Sequence, residues 1–248
     1  MRVIMYPGVG VQNENRYIDI LVDALRGQGV EVVAWTKHFS LQKGDVFHVH
    51  WPEIIPEIHD RKHNRLRGLW IEQQFFATIR RVKRAGGRVV WTVHDLAPHA
   101  AQLRQSAFLK AFMKRFMAQV DVALSLTEAG FAQIRAALPE LAHAAFFVGR
   151  HPHYRSVLQP VTDAGLRAHY GASNSQRVFS FIGSMRANKR PDLVVQAFRG
   201  LDAAGNYLIM AGGASQEVAT EVTGLAGNAG NVRLSLQRVP EDEIGRLY

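Results

Sequence analysis

The sequence predicts an α/β protein made of two Rossmann-like domains, each a doubly wound parallel sheet, with the second one truncated. Short apolar runs rich in β-branched residues alternate with helical patterns along nearly all 248 residues. Several of these runs are almost continuously apolar, as expected of parallel strands buried on both faces. A polar stretch with Gly and Pro at 151–176 interrupts the alternation, and we interpret it as a linker between domains at 1–150 and 177–248.

The first domain is predicted to contain six strands joined largely by helices. Parallel strands connected through helices require right-handed crossovers, so this order indicates a doubly wound sheet. The predicted strands are Arg2–Tyr6, Glu31–Trp35, Val46–Trp51, Arg88–His94, Asp121–Leu126 and Ala145–Val148. The predicted helices are Tyr17–Arg26, Leu66–Arg84, Ala107–Ala118 and Glu128–Ala137.

The second domain shows only three predicted strands before the sequence ends at Tyr248. Nucleotide-binding sheets of this kind usually have about six strands. We therefore expect the sequence to be part of a longer protein. The predicted strands are Arg177–Ile182, Tyr207–Ala211 and Val232–Leu236, and the predicted helices are Asp192–Gly200, Gln216–Leu225 and one that begins near Glu241.

Composition excludes some classes of site and leaves several partners open. The chain has no cysteine, which rules out disulfides and thiolate metal sites. We find no secretory signal and no apolar run of about 18 residues, so the protein is expected to be cytoplasmic, either free or held on a membrane from one side. The net charge is +9, with 13 basic residues between Arg61 and Arg115 against only Glu72 and Asp95. Such a positive field attracts anionic lipid, phosphorylated substrate or nucleic acid. The alternative is that these basic residues form a solvated face with no binding role.

An apolar stripe lies within this basic stretch. Its spacing of three and four residues fits a helix face that either packs on the core or inserts into a membrane. The stripe consists of Phe108, Leu109, Phe112, Met113, Phe116 and Met117.

Functional residues are expected just after the strands, because ligands of doubly wound sheets bind beyond the strand carboxyl ends. The first strand is followed by Gly8 and Gly10, and then by Asn15. Glycines there allow a ligand to approach the backbone beside a helix amino end. The full dinucleotide fingerprint is absent, so a plain loop is an equal interpretation.

The third and fourth predicted strands end in imidazoles and carboxylates. In VFHVHWPE, His50 lies on the same face as His48, and Trp51 and Glu53 follow at the carboxyl end. In VVWTVHDLAPH, the strand ends at His94 and Asp95.

Histidine and carboxylate together suit removal of a proton from an acceptor hydroxyl. A zinc site is the competing interpretation, and it would need three or four convergent ligands without cysteine. Histidines that merely bond to the backbone are the third interpretation.

The stretch SFIGSMRANKRPDLVVQAF carries the strongest chemical signal. A strand ends at Gly183, the loop carries Arg186 and Lys189, and Pro191 opens a helix. Two cations beside a glycine turn suit the binding of a diphosphate, since arginine can bind its oxygens in pairs and lysine adds a point charge. A solvated loop is the alternative.

These segments resemble GT-B glycosyltransferases, especially the retaining mannosyl- and glucosyltransferases of bacterial exopolysaccharide synthesis. FIGSMRANKRPDLVVQAFRGL resembles their phosphate-clamp segment, and YLIMAGG with NVRLSLQRVPEDEIGRLY resembles the next two strands and the base-contacting loop. TVHDLAPH, ALSLTEAG, VGRHPHY and NENRYIDILVDALRGQGVEV are similar to acceptor-domain and linker segments. The order and spacing of these pieces carry the resemblance.

The resemblance implies that the first domain binds an acceptor and the second a nucleoside-diphosphate sugar, with no cofactor and no metal. His94 matches a histidine that approaches the transferred sugar. Ser184 stands where the family usually has arginine, so Arg186 would substitute for it. The implied donor-binding residues are Gly183, Arg186, Lys189, Gly212, Arg238, Val239 and Glu241, and the implied acceptor-side residues are Gly8, Gly10, Asn15, His50 and Trp51.

The resulting hypothesis is transfer of a sugar to a saccharide or to a polyprenyl-diphosphate-linked saccharide, with His94 and either Asp95 or Glu53 as catalytic residues. The family's acidic donor-sugar residue would lie beyond Tyr248, so a protein that ended there is expected to bind donor poorly. A sugar-nucleotide epimerase of the same fold is the first alternative. A basic nucleic-acid-binding protein is the second, although no recognition motif supports a nucleic-acid partner.

Overall fold

The computed structural model describes residues 1–8, 16–36, 40–60, 64–96, 106–154, 163–240 and 244. The chain divides into two compact units, Met1–His153 and Tyr154–Tyr248. Each unit contains its own parallel sheet, so the predicted α/β class with two doubly wound parallel sheets is confirmed.

The first unit contains a six-stranded sheet with the order β2-β1-β3-β4-β5-β6, and every neighbouring pair is parallel. The strand order reverses beside β1, so β1 and β3 flank the point where a doubly wound sheet opens a crevice for a ligand. The strands are β1 Arg2–Tyr6, β2 Glu31–Ala34, β3 Val46–Val49, β4 Arg88–Thr92, β5 Val122–Ser125 and β6 Ala145–Val148.

Helices cover both faces of this sheet. Side chains alternate along β1, so Ile4 and Tyr6 join the larger core, whereas Val3 and Met5 pack with the first helix. The helices are α1 Tyr17–Gly27, α2 Ile54–Asp60, α3 Arg65–Arg84, α4 Ala107–Met117 and α5 Glu128–Ala137, followed by a 3-10 turn at Pro139–Leu141. Helix α2 was not among the predicted helices.

The amphipathic stripe of α4 faces the core. Leu109, Phe112, Phe116 and Met117 are buried, and Met113 is partly buried against the same cluster. The Phe108 ring stacks on the His59 ring, with the two ring centroids 3.7 Å apart. Membrane insertion of this stripe is therefore excluded, because the sheet and the neighbouring helices already cover it.

The second unit contains a three-stranded parallel sheet in the order β7-β8-β9. Its strands are β7 Arg177–Ile182, β8 Asn206–Ala211 and β9 Val232–Ser235. Its helices are α6 Asp163–Tyr170, α7 Pro191–Arg199 and α8 Gln216–Ala226, with a 3-10 turn at Ala187–Lys189. The helix predicted near Glu241 lies outside the described residues.

The segment predicted as a linker, 151–176, contains α6 and is partly built into the second unit. Tyr170 is buried with Tyr207, whose hydroxyl donates to the Tyr170 carbonyl at 2.6 Å. The sequence interpretation missed this helix because glycines and prolines flank it closely. No helix among the described residues is both long and apolar enough to cross a membrane.

The ends of β7 and β8 approach each other so closely that the second glycine cannot carry a side chain. Gly212 has φ +149°, and a Cβ placed on it would lie 2.0 Å from the Gly183 carbonyl oxygen. Gly183 itself has φ +114°, and its N–H donates to the Ala211 carbonyl at 2.9 Å. The two glycines therefore fix the spacing of two loops that follow neighbouring strands.

Replacing Gly212 by Ala should destabilise the second unit by about 2–3 kcal/mol, since the new methyl group meets backbone and the φ angle disfavours it. Thermal unfolding followed by circular dichroism measures this change. Gly224→Ala is the matched control, because a Cβ there meets nothing within 4 Å in α8. Equal stability of the two variants would contradict the close approach.

Candidate functional site

Alternation along β3 and β4 places a group of polar side chains on one face at the carboxyl edge of the first sheet. Phe47 and Val49 point into the larger core, so His48 and the following His50 lie on the opposite face, beside α1. Trp91 of β4 and Val93 just after it also point into the larger core, so Thr92 and His94 lie on the opposite face, like His48 and His50. This geometry agrees with the shared face expected for His48 and His50.

The imidazoles contact one another directly. His48 Nε2 lies 2.8 Å from Thr92 Oγ1, and His50 Nδ1 lies 3.2 Å from His94 Nε2. The His48 and His50 ring centroids are 4.2 Å apart. In the His50–His94 bond one ring donates and the other accepts, so the tautomers of the two rings are coupled. We call His48, His50 and His94 the histidine cluster.

Aromatic rings enclose the histidine cluster at the sheet edge. Trp51 stacks on His94 with centroids 4.3 Å apart and an interplanar angle of 16°. The Tyr17 ring, at the start of α1, meets His94 edge-on at 4.9 Å, and His151 lies 5.2 Å from Tyr17.

Sequence reasoning did not assign Tyr17 or His151 to this site. Tyr17 opens the helix that follows the first strand, at the edge where ligands bind, and this position was the available signal. His151 follows β6, the far strand of the sheet, and reaches Tyr17 only because the chain returns along the carboxyl edge. Chain order alone does not reveal that return.

Burial keeps the histidine cluster uncharged. Burial, with a smaller effect of the His94 charge, lowers the pKa of His48 to about 4. Burial, with the nearby His151, lowers the pKa of His94 to about 4 as well. The pKa of His50 lies well below its ordinary value for the same reason, reinforced by both cluster neighbours. At neutral pH these rings therefore act as neutral donors and acceptors of hydrogen bonds.

The two candidate carboxylates differ in environment. Burial, with smaller effects of the Glu57 and Asp95 charges, raises the pKa of Glu53 to about 7, against the lowering effect of a backbone hydrogen bond. Asp95 is exposed. Burial of the Tyr6 side chain, with smaller effects of the Glu53 and Glu57 charges, raises the pKa of the Tyr6 hydroxyl. Glu53 is thus the carboxylate whose proton affinity suits acid–base work near neutral pH.

Of the other residues predicted on this side, the structure describes Gly8 alone. It is buried, and a Cβ on it would lie 2.7 Å from the Cβ of Ala34 in β2. Packing between β1 and β2 is therefore sufficient to account for this glycine. Gly10 and Asn15 lie outside the described residues.

In the second unit, the loops after β7, β8 and β9 form one rim at the carboxyl edge of the sheet. Met185 forms a bridge with Ala214 and donates its N–H to the Gly213 carbonyl at 2.8 Å. The Ala214 N–H in turn donates to Leu236 at 3.3 Å. We call these three connected loops the glycine rim.

The predicted cations lie on the glycine rim. A Cβ on Gly183 would stand 3.7 Å from Lys189 Nζ, so the ammonium group lies close above that glycine. Arg186 is exposed in the same loop, and its carbonyl accepts from the Lys189 N–H at 2.9 Å. The third cation, Arg190, forms a two-pronged ion pair with Asp192, the closest contact being 2.7 Å.

The remaining donor-side predictions cluster around the loop after β9. Arg238 is exposed, and its N–H is the nearest group to a Cβ placed on Gly213, at 3.9 Å. Val239 packs against the Tyr170–Tyr207 cluster. Glu241 lies outside the described residues. Among the described residues, no group of three or more His, Asp or Glu side chains is arranged to hold a metal ion.

Comparison with solved structures finds the same type of fold in other proteins. HepE of Anabaena, in complex with UDP and glucose, superimposes with a TM-score of 0.60 at 12% identity, over 100% of this chain and 71% of HepE. A Listeria monocytogenes protein provisionally named a UDP-N-acetylglucosamine 2-epimerase gives 0.52 at 11% identity, over 98% and 70% of the two chains. The UDP-forming α,α-trehalose-phosphate synthase of Burkholderia vietnamiensis gives 0.50 at 9% identity, over 98% and 75%.

The fold is of the GT-B type. No protein family matches the sequence, and no curated protein matches it either. At these identities the likeness to solved structures extends to the fold and no further.

Acid should destabilise the first unit through the histidine cluster. Because the pKa of His48 falls from 6.5 to about 4 on folding, its contribution to stability is present above pH 6.5 and is lost as the pH falls toward 4. Between pH 7 and pH 5 the loss is about 2 kcal/mol for this one ring.

Urea unfolding followed by tryptophan fluorescence measures this loss, because all four tryptophans, Trp35, Trp51, Trp70 and Trp91, belong to the first unit. His48→Gln should reduce the difference between pH 7 and pH 5, whereas His143→Gln, which removes an exposed imidazole, should leave it as in the wild type. An unchanged difference in His48→Gln would show that this ring is not the group that titrates.

Proposed function

We infer that the protein is a glycosyltransferase that moves a sugar from a nucleoside-diphosphate sugar to a saccharide or to a polyprenyl-diphosphate-linked saccharide. The observation that carries this proposal is the Lys189 ammonium group above Gly183, at the carboxyl edge of a GT-B-type nucleotide domain. This edge is where a doubly wound sheet binds phosphate groups. HepE was solved with UDP and glucose, and the names of the other two similar proteins refer to UDP or a UDP-sugar, which supports a uridine nucleotide as the first donor to test.

The donor half of the proposal follows from charge. The leaving nucleoside diphosphate gains negative charge as the bond to the sugar breaks, so cations placed at its oxygens act chiefly in the transition state. Lys189 and Arg186 are exposed on the glycine rim, whereas Arg190 is engaged by Asp192. The first two are therefore the proposed diphosphate clamp, and Gly212 keeps the rim narrow.

The acceptor half follows from the histidine cluster. A neutral His94, held by His50 and stacked on Trp51, can orient a hydroxyl by a hydrogen bond without adding charge. Glu53 is the proposed base where the reaction inverts the anomeric centre, because its pKa of about 7 leaves a carboxylate available at neutral pH. Where the reaction retains the anomeric configuration, His94 and Glu53 only position the acceptor.

The finer assignment is to exopolysaccharide synthesis in the bacterial cytoplasm, by transfer without a bound metal. Its support is the sequence resemblance of the phosphate-clamp and acceptor-domain segments. The two cations of the glycine rim would take the part that a divalent ion takes in other transferases, because they neutralise the same diphosphate.

Lys189→Ala should weaken UDP binding by about 10- to 100-fold, as expected for the loss of a charge-assisted contact, and should reduce transfer further. Titration calorimetry with UDP measures the first effect. Arg190→Gln removes a cation of the same loop that already has a partner, so it should bind UDP nearly as the wild type does. Equal binding by Lys189→Ala and the wild type would refute the clamp.

If Glu53 acts as the base, kcat/KM for transfer should rise with pH and level off above a midpoint near 7, because only the ionised carboxylate accepts a proton. Glu53→Gln should lose at least about 100-fold in kcat and should flatten this profile. Asp95→Asn is the matched control at the neighbouring exposed carboxylate. A profile that keeps its midpoint in Glu53→Gln would assign the titration to another group.

Epimerisation of a nucleotide sugar is the second candidate, favoured by the structural similarity to the Listeria monocytogenes protein. It requires no acceptor. Incubation with the donor alone separates the two functions, because an epimerised nucleotide sugar in the product would support epimerisation, whereas an unchanged donor that reacts only with added acceptor supports transfer.

A further inference from the structure

His50 is enclosed by aromatic rings and uses only one of its two ring nitrogens. The residue is 1% exposed. Its ring centroid lies 4.2 Å from that of His48, 5.6 Å from that of Tyr17 and 5.7 Å from that of Trp51. His50 Nδ1 lies 3.2 Å from His94 Nε2. His50 Nε2, in contrast, is buried and has no hydrogen-bond partner among the residues that the structure describes.

Two arrangements of protons fit the bond between the neutral rings of His50 and His94. In the first, His50 Nδ1–H donates to His94 Nε2, so His50 Nε2 is a bare lone pair and His94 carries its proton on Nδ1. In the second, His94 Nε2–H donates to His50 Nδ1, so His50 carries a buried N–H at Nε2 and His94 Nδ1 is bare. His94 therefore offers a ligand either an N–H or a lone pair at Nδ1, depending on His50.

The unpaired nitrogen of His50 favours the first arrangement. The second arrangement would bury an N–H group that has no acceptor among the described residues. Buried N–H groups without an acceptor are rarer in folded proteins than buried acceptors without a donor. The neighbouring rings explain the lack of an acceptor in part, because His48 Nε2 is 2.8 Å from Thr92 Oγ1 and the indole nitrogen of Trp51 can only donate.

We propose that His50 is a positioning residue that sets the tautomer of His94, so that His94 presents a ring N–H to the substrate and not a lone pair. The inference rests on the proposed function for the nature of the ligand, because the group that receives this hydrogen bond is then a sugar hydroxyl oxygen. His94 cannot remove a proton from that hydroxyl, since its lone pair on Nε2 is engaged by His50. Where the reaction requires a base, that role is left to Glu53.

The rings beside His94 fix the direction of this N–H. Trp51 stacks on the His94 ring with an interplanar angle of 16°, and Tyr17 meets the same ring edge-on at 87°. These contacts hold the plane of the imidazole, and an imidazole N–H lies in that plane. His50 thus sets which nitrogen carries the hydrogen, while Trp51 and Tyr17 set where the N–H points.

NMR tests the tautomers without any substrate. Long-range proton–nitrogen correlation spectra of the protein, labelled at its histidines, distinguish a protonated from a bare ring nitrogen. At neutral pH, His50 and His94 should each carry the proton on Nδ1 and have a bare Nε2. Loss of one set of resonances in His50→Asn and in His94→Asn assigns the two rings, and His143→Gln, at an exposed imidazole, should leave both sets unchanged. A protonated Nε2 on His50 or on His94 would overturn the proposal.

Two substitutions of His50 separate a positioning role from packing. Asparagine can place an amide N–H near the position of Nδ1, whereas leucine fills the space without a donor. His94 should keep its proton on Nδ1 in His50→Asn and should show a mixture of tautomers in His50→Leu. Thermal unfolding reports the stability of each variant. If His50 only packs, the two variants will differ in stability while His94 has the same tautomer in both, and that result would exclude the positioning role.

Turnover of UDP-glucose, measured as released UDP, tests whether His94 acts through its N–H. His94→Asn keeps an N–H and lacks a basic nitrogen, so its kcat should be at least about tenfold above that of His94→Leu. Equal losses in the two variants would show that the N–H is not what His94 contributes, which contradicts the proposal. Absence of turnover in the wild type would count against the proposed function with this donor, and the NMR result would still decide the tautomer, so the two failures are distinguishable.

Discussion

Three imidazoles that contact one another in a row, two of them buried and the third partly buried, can share the edge of a sheet only while they are uncharged. Placing His48, His50 and His94 on one face of two neighbouring strands satisfies this condition, because burial holds their pKa values below neutrality. The coupled bond between His50 and His94 then fixes which nitrogen of each ring donates. The histidine cluster therefore offers the chemistry of neutral imidazole, and Glu53 adds a carboxyl group whose pKa is close to neutrality.

In the second unit the governing constraint is backbone spacing. The Gly212 position approaches the Gly183 carbonyl too closely to carry a side chain, so the loops after β7 and β8 lie in direct contact. This contact joins the loops after β7 and β8, and the hydrogen bond from Ala214 to Leu236 adds the loop after β9, so that Lys189 and Arg186 lie on one rim. A side chain at Gly212 would separate the loops, and the cations would lose their common support.

Much of this architecture could be predicted from local patterns. The runs at Arg2–Tyr6 and Arg177–Ile182 are strands with the predicted bounds, because their apolar side chains alternate between two cores. The polar residues at strand ends were also recognisable, since parallel strands direct their carboxyl ends to one edge. Three features were not predictable. The short helix α2 has too few residues for a periodic signal, the approach of His151 to Tyr17 depends on the path of the chain after β6, and the burial of the α4 stripe depends on α3 beside it.

The two units divide the electrostatic work of the proposed reaction. A diphosphate that leaves with growing negative charge needs cations that are permanent and placed in advance, which lysine and arginine supply. An acceptor hydroxyl needs a partner that can accept or donate a hydrogen bond but carries no charge, because a charge would act on the positive charge that develops on the sugar. A neutral imidazole is such a partner. Charged histidines would oppose that positive charge in the proposed reaction, so the low pKa values that burial imposes on the histidine cluster are compatible with the role proposed for it.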